Sequence, residues 1–326
     1  MLLSRRQAAA GLLAPGLLGL AGSALPSSRA LAQIASLGQP DETPTRLDTG
    51  RDDFEHMLAP VTINGQGPFQ FLIDTGANTS CISRELAEKL MLAGAEPAMI
   101  HTIVGGRQRP GVLIDRLQVG DRDRRDVRAA SLPLNAALDG VLGIDWLRGQ
   151  RLELDFKTHN LAITRSKTEY SRPGLAVVPA RRGQGQLTIV DADLGGRRIN
   201  AMIDSGSQMS MCNAALRGMV GDANHHGHTD AYSHVGLETL IGEKFFGEMI
   251  YLPFMRLGGL QMGNVPVVYA DMPVFDLWGL KDTPAVVLGM DLLTQFDSVA
   301  LDFGRGQVSF RLAEMPSLPK VTYRPA

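Results

Sequence analysis

Net charge is nearly missing from this chain. Its 32 Lys and Arg face 34 Asp and Glu, a formal charge of −2, which leaves no general attraction for nucleic acid or anionic lipid. Partners must therefore be argued from particular sites. Disorder-like composition is also missing: 44% hydrophobic residues, with 36 glycines and 18 prolines among 326, fit a loop-rich globular protein long enough for two domains. Cysteine is scarce, with only Cys81 and Cys212. A disulfide between them is disfavoured, because they stand one register apart in two copies of a repeat, and neighbouring strand positions face opposite sides. Both read as small buried apolar residues.

One stretch, Ala8 to Leu25, carries no charge at all. Arg5 and Arg6 precede it and Ala30-Leu31-Ala32 follows, a small-x-small cleavage pattern, so residues 1–32 are expected to be an export signal and the protein periplasmic or secreted. "SRRQAAAG" resembles a twin-arginine signal without the bulky apolar residue usual after the pair. An uncleaved anchor is the alternative, the run being close to the ~18 residues that span a bilayer, but it is rich in Ala and Gly rather than Leu and Ile.

What is present is a sequence written twice. "FLIDTGANTSCIS" places Asp74 after an apolar run, and "AMIDSGSQMSMCN" does the same with Asp204. Burying a carboxylate is costly unless it is paired or hydrogen-bonded, so two such acids ask for one explanation. Downstream, "DGVLGIDWLRGQRLELDF" is echoed by "AVVLGMDLLTQFDSVALDF", and Gly120 faces Gly258 in a repeated strand-turn-strand. Dense short apolar segments between Gly-rich turns predict an all-β fold in two lobes, with a few short helices in "RELAEKLML", "DWLRG" and "MDLLTQF". The expected layout is a signal over 1–32, a flexible N-terminus over 33–53, a first lobe over 54–165, a linker over 166–178, a second lobe over 179–313 and a tail over 314–326.

These motifs resemble the aspartic proteases, in the bacterial branch whose halves look like the retroviral enzyme. The marks are apolar-apolar-Asp-Thr/Ser-Gly, here "FLIDTGA" and "AMIDSGS", and a later apolar-apolar-Gly, here ending at Gly143 and Gly289. Together they cover roughly residues 54–312. The resemblance implies a bilobal acid-protease fold of two pseudo-twofold-related, barrel-like lobes. It implies Asp74 and Asp204 as catalytic, and Thr75 and Ser205 as cross-linking the loops. Gly76 and Gly206 would allow close approach, and Gly143 and Gly289 would pack under the loops.

The chemistry accounts for the duplication. Two carboxylates about 3 Å apart cannot both ionise, so they share a proton and act as base and acid on water at a peptide bond. No cofactor or metal is needed, and the expected partner is a polypeptide bound by a monomer that is an internal pseudo-dimer. Ser207 stands where the first half has Ala77, and a hydroxyl there is expected to favour ionisation of Asp204, leaving Asp74 with the proton.

A flap is expected in "HTIVGGRQRPGV", with Gly105 and Gly106 near its tip, and a second in "AYSHVGLETLIGEKFFGEM". No Tyr lies between Asp74 and Gly143, unlike the pepsin-style flap. The tract containing His225, His226, His228 and His234 reads as a solvated insertion, with a metal site as the lesser reading. "DRDRRDVR" reads as an exposed hairpin. Asp145 and Asp291 are expected to be structural, at helix starts, and Trp146 and Trp278 to be packing residues. The competing functions are a catalytically silent peptide binder of the same fold, or a cleft for cell-wall peptide or saccharide. The survival of both acids, both hydroxyls and both glycines favours catalysis.

Overall fold

The computed structural model describes residues 44–51, 56–134, 138–183, 188–221 and 234–312. In the first half the strands are β1 (Thr45–Asp48), β2 (Gly50–Arg51), β3 (Met57–Ile63), β4 (Gln66–Ile73), β5 (Cys81–Ser83), β6 (Ala93–Thr102), β7 (Gly105–Val119), β8 (Arg122–Leu132), β9 (Gly140–Leu142), β10 (Gln150–Asp155) and β11 (Asn160–Arg165). In the second they are β12 (Leu175–Arg182), β13 (Thr188–Leu194), β14 (Arg197–Ile203), β15 (Met211–Cys212), β16 (His234–Glu238), β17 (Lys244–Leu257), β18 (Leu260–Tyr269), β19 (Ala285–Leu288), β20 (Ser298–Asp302) and β21 (Gln307–Arg311). The helices are short: α1 (Arg84–Lys89), α2 (Ala214–Val220), α3 (Val274–Leu277) and α4 (Met290–Leu293). The protein is all-β and bilobal.

Each half closes a six-stranded barrel. In the first the order is β3-β4-β9-β5-β8-β7, sealed by β3 against β7; in the second it is β13-β14-β19-β15-β18-β17, sealed by β13 against β17. Both barrels contain two parallel steps, and an aspartate emerges at the end of one of them, β4 with β9 and β14 with β19. Gly120 and Gly258 turn the equivalent hairpins with φ of 60° and 57°, a left-handed backbone that glycine adopts without strain.

Between the barrels runs a shared sheet, β1-β11-β10-β20-β21-β12. Leu152 pairs with Leu301 and Leu154 with Val299, all four fully buried. At roughly 1.5–3 kcal/mol per buried aliphatic side chain, this seam joins the halves firmly. Arg151, whose side chain is 4% exposed, donates to Glu153 at 2.6 Å and to Glu169 at 2.9 Å beside it.

The layout departs from the sequence expectation in three places. Residues 33–53 were expected to be flexible, yet Thr45–Asp48 forms an edge strand on β11 and Gly50–Arg51 pairs with β3, because Thr45 and Leu47 alternate inward and are buried. The linker over 166–178 already enters β12 at Leu175, and its polar start is tied down, with Ser166 and Lys167 donating to the Asp302 carboxylate. The "DWLRG" segment makes successive turns, with Trp146 N–H to Gly143 O and Leu147 N–H to Ile144 O, rather than a helix. The signal over 1–32, the tail over 314–326 and the tract containing His225, His226 and His228 lie outside the described residues.

Candidate active site

Asp74 follows β4 and Asp204 follows β14, and each loop is pinned to the neighbouring parallel strand, Asp74 N–H to Leu142 O at 3.0 Å and Asp204 N–H to Leu288 O at 3.1 Å. The residues that come next lock the two loops to each other. Thr75 Oγ1 donates to Ile203 O at 2.9 Å and accepts from Ser205 N–H at 3.0 Å. Ser205 Oγ donates to Ile73 O at 2.7 Å and accepts from Thr75 N–H at 3.2 Å. Both hydroxyl residues are wholly buried, so every one of these four bonds is shielded from water.

That lock brings the carboxylates together, and they hydrogen-bond each other. Asp74 Oδ1 accepts from Gly76 N–H at 2.8 Å and Ala77 N–H at 2.9 Å; Asp204 Oδ1 accepts from Gly206 N–H at 2.9 Å. Glycine is required in both loops by close approach. A Cβ on Gly76 would lie 2.5 Å from the Asp204 carboxyl carbon, and one on Gly206 would overlap the Asp74 carboxyl.

Two sequence families match this frame: residues 59–149 fit the gag-polyprotein aspartyl protease family and residues 190–292 fit the aspartyl protease family. The chain carries two aspartyl protease domains in tandem. Both are retropepsin-like. Among curated proteins nothing matches the chain.

Each protease domain supports its loop in the same way. Gly143 and Gly289 lie under the loops, where an added Cβ would meet Ala77 O at 2.8 Å in one half and Met209 C at 2.6 Å in the other. Ser80 Oγ accepts from Gly143 N–H and donates to Asp145, and Ser210 Oγ accepts from Gly289 N–H and donates to Asp291. Asp145 and Asp291 are therefore structural, as expected, but for a different reason. They clamp a serine six residues after the motif aspartate; only Asp291 also lies in a helix, and that helix has four residues. Ser80 and Ser210 were missed by sequence reasoning, although their equal spacing from the two aspartates was the available signal.

The electrostatics reverse one expectation. Burial raises both carboxyls of this protease site above the ordinary Asp value, and Asp204 is raised well above it because the charge of Asp74 adds to burial. Asp74 is steadied as an anion by two backbone N–H groups and by the nearby His56. Asp204 is thus raised further than Asp74, where the hydroxyl of Ser207 was expected to favour its ionisation. That hydroxyl donates instead to Met209 O at 2.8 Å, and its loop conformation turns it away from the carboxylate. His56 was also missed; it is buried just before β3, and nothing in "FEHML" marks it from the sequence alone.

Two hairpins extend from the protease domains, β6–β7 and β16–β17. The first turns at Ile103-Val104, with Gly105 and Gly106 just after the turn, and the second turns through Thr239–Glu243. Ile103 packs against an apolar cluster of the second domain, and Leu240 and Ile241 pack against one of the first. Arg107 and Glu243 form an ion pair between the hairpins at 3.3 Å. Asn78, in the Asp74 loop, donates to Met99 O and accepts from His101 N–H, which ties the first hairpin to the loop beneath it. Cys81 and Cys212 are buried free thiols on opposite faces of equivalent strands, and Trp146 and Trp278 are buried packing residues.

Proposed function

We propose that the chain is an aspartic endopeptidase whose water is activated between Asp74 and Asp204. The observation that carries this reading is the hydrogen-bonded carboxyl pair, one member from each domain, with unlike surroundings. Unlike surroundings separate the roles of base and acid. Ionised Asp74 takes a proton from the water as its oxygen attacks the peptide carbonyl, while protonated Asp204 gives its proton to the carbonyl oxygen. Collapse of the tetrahedral species breaks the C–N bond, and the amine leaves with the proton that Asp74 received. Backbone donors to Asp74 hold the base in line and keep it charged. The two hairpins, each reaching into the opposite domain, supply a cover that excludes water during the reaction.

Cleavage of an unstructured protein such as casein between pH 3 and 8 tests the reading. Loss of activity in both Asp74→Asn and Asp204→Asn, with the fold retained, is the expected result. Unchanged cleavage in either variant would overturn the shared dyad. A folded wild-type chain that binds peptides and cleaves none would favour the silent-binder alternative.

A further inference from the structure

Of the two hairpins, one is fastened to the catalytic loop beneath it. Asn78 follows Ala77, whose N–H donates to Asp74 Oδ1 and whose carbonyl accepts from Ile144 N–H at 3.0 Å, so the side chain projects from a fixed point. Above it, β6 is the edge strand of its sheet, and alternate backbone groups along an edge have no strand to meet. Asn78 takes two of them: Nδ2 donates to Met99 O and Oδ1 accepts from His101 N–H, both at 3.2 Å. A carboxamide carries the donor and acceptor of a peptide unit, so it pairs with that edge as one residue of a further strand would. Nδ2 also donates to Thr79 Oγ1 at 3.1 Å, which steadies the rotamer. The tip of the same hairpin rests on α3 and its cap residue: a Cβ on Gly105 would lie 3.9 Å from Pro273, and one on Gly106 3.7 Å from Leu277.

The second hairpin lacks such a tie. Gln208 holds the matching place, four residues after Asp204, yet it is exposed and its side chain makes no hydrogen bond among the described residues. The turn at Thr239–Glu243 closes on itself, with Glu243 N–H donating to Thr239 Oγ1. It meets the first half through Leu240 and Ile241 and through the Arg107 to Glu243 ion pair, whose arginine is half exposed, so that pair contributes little.

We infer that Asn78 is a positioning residue: it fastens the first hairpin over Asp74 as a fixed roof, and the second hairpin is the one that yields to admit a polypeptide. This rests on the endopeptidase reading above, in which a seated roof keeps water from the dyad during the reaction.

Hydrogen–deuterium exchange read by mass spectrometry tests the tie, and peptide hydrolysis tests its use. In the wild type, peptides covering residues 98–106 are expected to be protected about tenfold more than those covering 236–246. Asn78→Ala is expected to remove that difference and to lower kcat about tenfold, the scale of two lost neutral hydrogen bonds. Asn78→Asp is expected to recover towards wild-type kcat as pH falls from 7 to 4, because the protonated carboxyl again donates to Met99 O and accepts from His101 N–H. Each rate is taken relative to wild type at the same pH, so that the titrations of Asp74, Asp204 and His101 divide out. Gln208→Glu places the same charge in the other loop, and an equal recovery there would mark an effect of charge and overturn the inference. Equal protection of the two hairpins, or an Asn78→Ala variant that changes KM alone, also overturns it. If the wild type cleaves nothing, the endopeptidase reading fails separately, and protection in the wild type and in Asn78→Ala decides the tie by itself.

Discussion

The cross-linking hydroxyls offer the sharpest test, because their loss leaves buried partners with nothing to replace them. In Thr75→Ala the Ile203 carbonyl loses its donor and the Ser205 N–H loses its acceptor, both in a region where Thr75 and Ser205 are wholly buried. Each stranded group costs ~1–3 kcal/mol, so the variant should lose about 2–6 kcal/mol, a large part of a typical 5–15 kcal/mol total. Thr75→Ser keeps the hydroxyl and should recover most of the loss. Ser205→Ala strands Ile73 O and Thr75 N–H in the same way. Since both hydroxyls brace the same two loops, the double variant should cost clearly less than the sum of the singles. Urea unfolding followed by tryptophan fluorescence suits the measurement, with buried Trp146 reporting the first half and Trp278 the second. A Thr75→Ala penalty under ~1 kcal/mol, or strict additivity in the double variant, would refute the reasoning.

Four further outcomes follow from the same geometry. Gly76→Ala should abolish cleavage, because its Cβ would stand 2.5 Å from the Asp204 carboxyl carbon; proteolysis assays on folded protein check it. Ser207→Ala should leave the pH profile of kcat/KM unmoved, since that hydroxyl serves Met209 O. Asp204→Asn should be more stable than wild type at neutral pH. A carboxyl raised by burial contributes its stability below the unfolded value near 3.8 and loses it as pH rises through the folded value, so the gap should close towards acid pH in parallel urea melts. Arg151→Ala should cost about 3 kcal/mol by leaving Glu153 and Glu169 facing each other in the seam, again read by denaturation.

Much of this protein was legible in the order of its residues. Apolar runs ending at Asp74 and Asp204, each followed by a hydroxyl and a glycine, predicted two equivalent loops, since such acids need a shared hydrogen-bonded setting. Local periodicity likewise placed most of the barrel strands. It missed the edge strands β1, β2, β6 and β16, and also β9, β12 and β19; β9 and β19 are buried but only three and four residues long, too short to show a period. Tertiary structure alone decided the rest. How far each carboxyl is raised depends on burial in the joined loops and on the other aspartate beside it, and neither is set by spacing along the chain. The roles of Ser80 and Ser210 depend on a glycine and an acid that come near only when the parallel strands pair.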